Sequence, residues 1–248
     1  FKAAASYPDH PVVADILDRQ GMTLSRGGDL SGAAGAWESF LRRFPKDARA
    51  RGIRFRLAAA LYASGRYGES ARAYSLISGD DELAADSAFN LALALSKAGG
   101  RAQAAAAFED LVARFPEHKQ AGWAWLELAR AREGYGRFDA AIAAYRKAGP
   151  VQRTLILYRI GRCQERLRQA AAARRTYEEL SNASPDSDPY RVQGALRLAL
   201  LVELSDPTKA LRLYAEVLRR SPRTSPLFES ARKRVAALTS DGSLVSRR

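Results

Sequence analysis

The chain of 248 residues is expected to fold as an all-α array of helical hairpins. Three observations lead there. An aromatic-centred phrase recurs six times in register, a small-residue phrase precedes each copy, and glycine and proline punctuate the intervals. Hydrophobic residues make up 47% of the chain and charged residues 27%, so there is enough apolar surface to bury and wholesale disorder is not expected.

The aromatic phrase marks the second helix of each hairpin. Leu30, Ala33, Trp37, Phe40 and Pro45 form the first copy. Tyr67, Ser70, Tyr74 and Ile77 form the second, with Glu82 in place of the Pro. Ala104, Phe108, Leu111 and Pro116 form the third, opened by Arg101. Phe138, Ala141, Tyr145 and Ala148 form the fourth. Ala170, Ala173, Tyr177, Leu180 and Pro185 form the fifth. Ala210, Tyr214, Val217 and Pro222, opened by Pro207, form the sixth. Apolar residues at i, i+3, i+4 and i+7 line one face of a helix.

The small-residue phrase marks the first helix. It reads Gln20-Gly21 with Leu24, Leu57-Ala58 with Leu61, Leu91-Ala92 with Leu95, Leu128-Ala129, Ile160-Gly161 and Arg197-Leu198 with Leu201. Small residues there let the two helices of a hairpin approach closely. Gly28, Gly65, Gly99 and Gly136 close this half, as helix-terminating glycines do.

At the ends, Ala3 to Pro8 matches the closing part of a repeat, so residues 1–11 are expected to be the tail of a truncated preceding copy, the sequence starting inside a larger array. Pro226 to Leu238 carries Leu227, Ala231, Val235 and Leu238 on one face, and residues 223–238 are expected to form a capping helix. Residues 239–248 lack periodicity and are expected to be a flexible basic tail.

Several chemistries find no support in the residues. A single cysteine, Cys163, excludes an internal disulfide and a cysteine-rich zinc site, and it is expected to be a buried, inert thiol. Two histidines, His10 and His118, leave little for histidine-based chemistry; no metal and no cofactor is expected. The phosphate-loop, nucleophile-elbow and zinc-helix motifs are all missing. No stretch is apolar enough to span a membrane. Lys and Arg number 40 against 27 Asp and Glu, a net charge of +13 that favours anionic partners. The basic residues are scattered rather than gathered in a nucleic-acid module, so nucleic acid is the lesser alternative and a solvated basic surface the simpler one.

The recurring pattern resembles the tetratricopeptide repeat, whose unit is ~34 residues. The resemblance covers about residues 12–222, as six repeats starting near 14, 51, 85, 122, 154 and 191, with steps of 37, 34, 37, 32 and 37. It implies a right-handed α-solenoid whose first helices line a concave groove through their second, fifth, ninth, twelfth and thirteenth residues. The positions carried over are Phe55, Tyr62, Phe89, Leu93, Trp123, Leu126, Arg130, Tyr158, Arg162 and Arg166, with Asp18, Leu155 and Ala195 at matching offsets. Aromatics and arginine dominate binding hot spots, so such a groove suits a peptide carrying apolar and acidic side chains. The alternative for each ring is packing against the neighbouring repeat.

The expected function is thus a non-catalytic scaffold or adaptor for a protein or peptide partner. The Phe-Pro repeat endings, Arg43-Phe44-Pro45 and Arg114-Phe115-Pro116, are similar in style to bacterial envelope members of the family, which implies a periplasmic or outer-membrane-associated adaptor, with a cytoplasmic location left open. Two alternatives stand beside it: a helical accessory region of a larger enzyme such as a lytic transglycosylase, and a basic scaffold for nucleic acid or a membrane surface.

Overall fold

The computed structural model describes residues 11–183 and 188–240. The expected truncated repeat tail over residues 1–10, Pro185 and the tail beyond Ser240 lie outside the described residues. Among the described residues there are thirteen α-helices and no strand. The helices are α1 Pro11–Arg26, α2 Leu30–Arg43, α3 Ala50–Ala63, α4 Tyr67–Ser75, α5 Glu82–Lys97, α6 Arg101–Arg114, α7 Ala121–Gly134, α8 Phe138–Lys147, α9 Arg153–Arg166, α10 Ala170–Ala183, α11 Pro189–Val202, α12 Pro207–Arg220 and α13 Pro226–Ser240. The odd-numbered helices up to α11 open one to three residues before the repeat starts read from the sequence.

Local chemistry explains where the helices begin. Asp29, Asp81, Asp188 and Asp206 cap α2, α5, α11 and α12 by accepting the amides of Gly32, Ala84, Tyr190 and Lys209 at 2.8, 2.9, 2.7 and 2.9 Å. Proline opens α11 and α12, where its missing N–H costs nothing.

Five hairpin turns share one geometry. The amides of Asp29, Arg66, Gly100, Arg137 and Gln169 reach back to the carbonyls of Leu24, Leu61, Leu95, Arg132 and Gln164 at 2.8 to 2.9 Å. The residue just before each amide is left-handed. Four times it is glycine, at φ 84°, 81°, 88° and 72°, and once it is Arg168, at φ 58°. The sixth turn, before α12, closes differently, through the Asp206 amide on Val202.

The chain divides into two compact units, Phe1–Ala131 and Arg132–Arg248. In the first, Trp37, Phe40, Ile53, Leu57, Leu61, Tyr74 and Ile77 form one apolar cluster, and Phe89, Phe108, Leu111, Val112 and Leu128 another. In the second, Tyr158, Tyr177, Leu180, Leu198, Val202, Tyr214 and Val217 form the core, and α13 lays Leu227, Ala231, Val235 and Leu238 against it. Each such large side chain stabilises the fold by about 1.5–3 kcal/mol through burial.

The small residues of the first helices act as the sequence suggests. A Cβ on Gly21 would meet the Trp37 indole at 2.4 Å, and one on Gly161 would meet the Tyr177 ring at 2.5 Å. Glycine therefore admits the large ring of the partner helix.

Candidate functional site

In the first unit a cavity of about 400 Å³ opens between α1 and α3. Its apolar floor comes from Met22, Leu30, Trp37, Ala59, Ala60 and Ala63, and Arg26 and Arg56 stand among these residues. Met22, Ser25, Arg26, Ala59 and Ala63 occupy the ninth, twelfth and thirteenth offsets of their repeats, the offsets expected to face a partner. The wall is braced by a buried carboxylate. Asp18 accepts the Trp37 indole Nε1–H at 3.3 Å and the Arg56 guanidinium at 2.7 Å. Arg26 makes no ion pair with a described residue.

A second cavity of about 430 Å³ lies among Asp80, Asp81, Glu82, Arg114, Phe115, His118 and Lys119. Its charges largely pair with one another or with their neighbours. Lys119 bridges Glu82 and Asp86 at 2.9 and 3.3 Å, His118 Nε2 lies 3.1 Å from Asp86, and Asp81 takes both guanidinium nitrogens of Arg51. That arrangement ties neighbouring repeats together.

In the second unit a motif recurs that sequence inspection did not single out. Glu133, Glu165 and Glu203, in or just after the last turn of α7, α9 and α11, accept the hydroxyls of Tyr145, Tyr177 and Tyr214, the first two at 2.6 and 2.5 Å. Each carboxylate also meets an arginine of a later helix, Arg159, Arg197 and Arg234, at 3.2 to 3.3 Å. Burial, and then the carboxylate, push the Tyr145, Tyr177 and Tyr214 phenols far above their ordinary value. The signal available in the sequence was a Glu eleven or twelve residues before each of the three tyrosines.

The ten residues carried over from the resemblance divide into three groups. Leu126 is corrected outright: it is 0% exposed and belongs to the core, with no surface for a partner. Phe89 and Tyr158, 8% and 9% exposed, are also mainly core; Phe89 lies edge-on to Phe108, and Tyr158 packs on Tyr177 and Tyr190. Phe55, Tyr62 and Leu93 are half-buried, with Phe55 edge-on to Tyr74 and Tyr62 edge-on to Tyr67. Trp123, Arg130 and Arg166 are exposed and Arg162 is partly so. Arg130 pairs with Glu127 at 2.6 Å, while the Arg162 and Arg166 guanidiniums lie over the Tyr158 and Phe138 rings at 6.0 and 5.1 Å. Sequence reasoning missed Met22, Ala59, Ala63 and Arg26, because a cavity walled by alanine leaves no mark in a pattern of large residues.

Cys163 is fully buried, and that burial, with Glu133 nearby, pushes its thiol up to about 12. Among the described residues, no group of three or more His, Cys, Asp or Glu could hold a metal ion. No described helix is long and apolar enough to cross a membrane.

Comparison with known proteins agrees with this architecture. No curated protein matches the chain. Solved structures with the same fold include the C-terminal part of a TPR repeat-containing protein from Cytophaga hutchinsonii, with a TM-score of 0.67 at 15% identity over 91% of this chain and 88% of that one. They also include pilF of Pseudomonas aeruginosa, with a TM-score of 0.56 at 12% identity over 89% and 97%. PilW, a widely conserved type IV pilus biogenesis factor, has a TM-score of 0.51 at 19% identity over 88% and 97%. At such identities the likeness speaks for the fold. The tetratricopeptide repeat model matches residues 19–84 and 89–151, and a second model of the same description matches residues 156–187. With these helical pairs, shared turns and matched residues, the chain belongs to the tetratricopeptide repeat family.

Proposed function

We propose that this protein is a non-catalytic scaffold that seats a segment of a partner protein on the faces formed by the first helices of its repeats. One observation carries the reading: the cavity between α1 and α3 joins an apolar floor to Arg26, which makes no ion pair with a described residue, and Met22, Ser25, Arg26, Ala59 and Ala63 hold the offsets that the family resemblance implies for partner contact. An apolar side chain with a neighbouring carboxylate fits that chemistry. The setting we propose is a bacterial envelope complex. It draws on the Phe-Pro repeat endings and on the fold shared with PilW, a type IV pilus biogenesis factor.

A photo-crosslinking amino acid at Ala63 tests the first part, with Gly35 on α2 as the control position. Ala63 is expected to trap a partner that Gly35 does not, and Ala59→Trp, which fills the cavity, is expected to abolish the adduct while helicity is kept. Equal trapping from Gly35, or an adduct indifferent to Ala59→Trp, refutes the reading. Fractionation of the native cells tests the setting: recovery in the cytosolic fraction alone refutes it.

A further inference from the structure

The second unit carries a positive patch that its own acids do not neutralise. Arg162 and Arg166 stand one helical turn apart on α9, Arg168 follows in the turn, and Arg137 opens α8. None of the four makes an ion pair with a described residue. The α9 helix contains one acid, Glu165, and both of its oxygens are committed, to Tyr177 and to Arg197. Glu133 is likewise held by Tyr145 and Arg159. Asp139, in the first turn of α8, pairs with none of the four.

The guanidiniums are also oriented. Arg162 lies over Tyr158 and Arg166 over Phe138, the residue next to Arg137, so the start of α8 and the end of α9 present one continuous patch. A guanidinium resting on a ring can still donate its N–H groups to a carboxylate. Tyr135, 55% exposed, lies two residues before Arg137 in the turn that leads into α8.

We infer that this patch docks an acidic protein segment, with carboxylates at alternate positions of an extended stretch set on Arg162 and Arg166 and an apolar residue beside them on Tyr135. Cβ atoms one turn apart on a helix are about 5–6 Å apart, and alternate residues of an extended chain about 6.6 Å apart, so the long arginine side chains can reach both carboxylates. Arg168 fits the same purpose. It occupies a left-handed position where the four sister turns have glycine, so it adds an exposed guanidinium where those turns have no side chain. The inference rests on the scaffold reading and specifies the partner's chemistry; a protein segment is favoured over nucleic acid by membership in a family of protein-interaction scaffolds.

The test is fluorescence anisotropy on the whole chain. The probe is a short labelled peptide with Glu at two alternate positions beside a Phe-Leu pair, compared with the same peptide carrying Gln and with a labelled oligothymidylate. The Glu peptide is expected to bind about tenfold more tightly than the Gln peptide, as two exposed Arg–carboxylate contacts supply. Arg162→Gln with Arg166→Gln removes that preference, and Arg168→Gly, which relieves strain and so keeps the fold, weakens the Glu peptide about threefold. Arg219→Gln, on α12, leaves binding unchanged. Equal affinity for the Glu and Gln peptides, full affinity after the double substitution, tighter binding of the oligothymidylate, or no binding of the Glu peptide each overturns the inference. Crosslinking from Ala63 reads the other unit, so success there beside failure here dismisses the acidic specificity and leaves the scaffold reading standing.

Discussion

Arg168→Gly should make the protein more stable. In five turns with the same reach-back hydrogen bond, four left-handed positions are glycine and the fifth is Arg168 at φ 58°. A residue with a Cβ pays roughly 1–2 kcal/mol in the left-handed region. Glycine returns about 0.4–1 kcal/mol of that through the greater freedom of its unfolded chain. Arg168 is exposed and makes no ion pair with a described residue, so no described ion pair is lost. The expected net gain is about 1 kcal/mol, which at a slope of about 2 kcal/mol per molar raises the urea midpoint by roughly 0.5 M. Circular dichroism through a urea titration measures it. Arg168→Ala is the decisive control, because alanine relieves the charge but keeps the Cβ, and it should change stability by less than about 0.5 kcal/mol. If the Ala variant gains as much as the Gly variant, like-charge repulsion is the cause and the backbone argument is wrong. If the Gly variant gains nothing, the turn bears no strain.

Other expectations follow from the same packing. Gly161→Ala places a methyl 2.5 Å from the Tyr177 ring and should cost about 1–3 kcal/mol, whereas Gly35→Ala, exposed on α2 with nothing within 4 Å, should gain about 0.5–1 kcal/mol; thermal melts compare them. Tyr145→Phe deletes the donor to Glu133 and should cost about 1–2 kcal/mol, while Tyr74→Phe, whose hydroxyl bonds to no described residue, should fall within about 0.5 kcal/mol of the wild type in urea titrations. Alkali should unfold the protein. Burial pushes the Tyr74 phenol from 10.0 up to about 12, and the Tyr145, Tyr177 and Tyr214 phenols rise as well. With folded values above unfolded ones, their stabilisation is whole below pH 10 and is lost as pH climbs through the folded values. Phenolate absorbance and helicity should therefore change together above pH 10; buried phenols that ionise while helicity holds refute this. In acid the sign reverses. Hydrogen bonds from Arg49 lower Asp47 from 3.8 to about 2, so its contribution is present above pH 3.8 and is lost as pH falls through about 2, and Asp47→Asn should flatten that part of the acid titration of stability.

The repeat was legible because its signals are local. A helix face is written in the 3.6-residue spacing of Trp37, Phe40, Phe108, Leu111, Tyr177 and Leu180, and a helix end in Gly28, Gly65, Gly99 and Gly136. Even the apolar face of α13, from Leu227 to Leu238, could be read from one stretch of chain. These features depend on backbone geometry that neighbours only a few residues apart decide.

Which side chains a partner can reach was decided elsewhere. Offsets along a first helix say which way Phe55, Phe89, Leu126 and Tyr158 point, but not what comes to cover them. Tyr74 lies against Phe55, Phe108 against Phe89, and Tyr177 with Tyr190 against Tyr158. Leu126 is enclosed completely. The cavity at Met22, Ala59 and Ala63 exists because bulk is missing where two helices meet, and no single segment records that. The charge pattern obeys the same rule. Composition counts thirteen surplus positive charges, yet only the packed structure commits Glu133 and Glu165 to tyrosines and arginines and leaves Arg162 and Arg166 without an ion pair among the described residues. Periodicity is a property of one chain segment, whereas exposure and electrostatic pairing are properties of the space between segments.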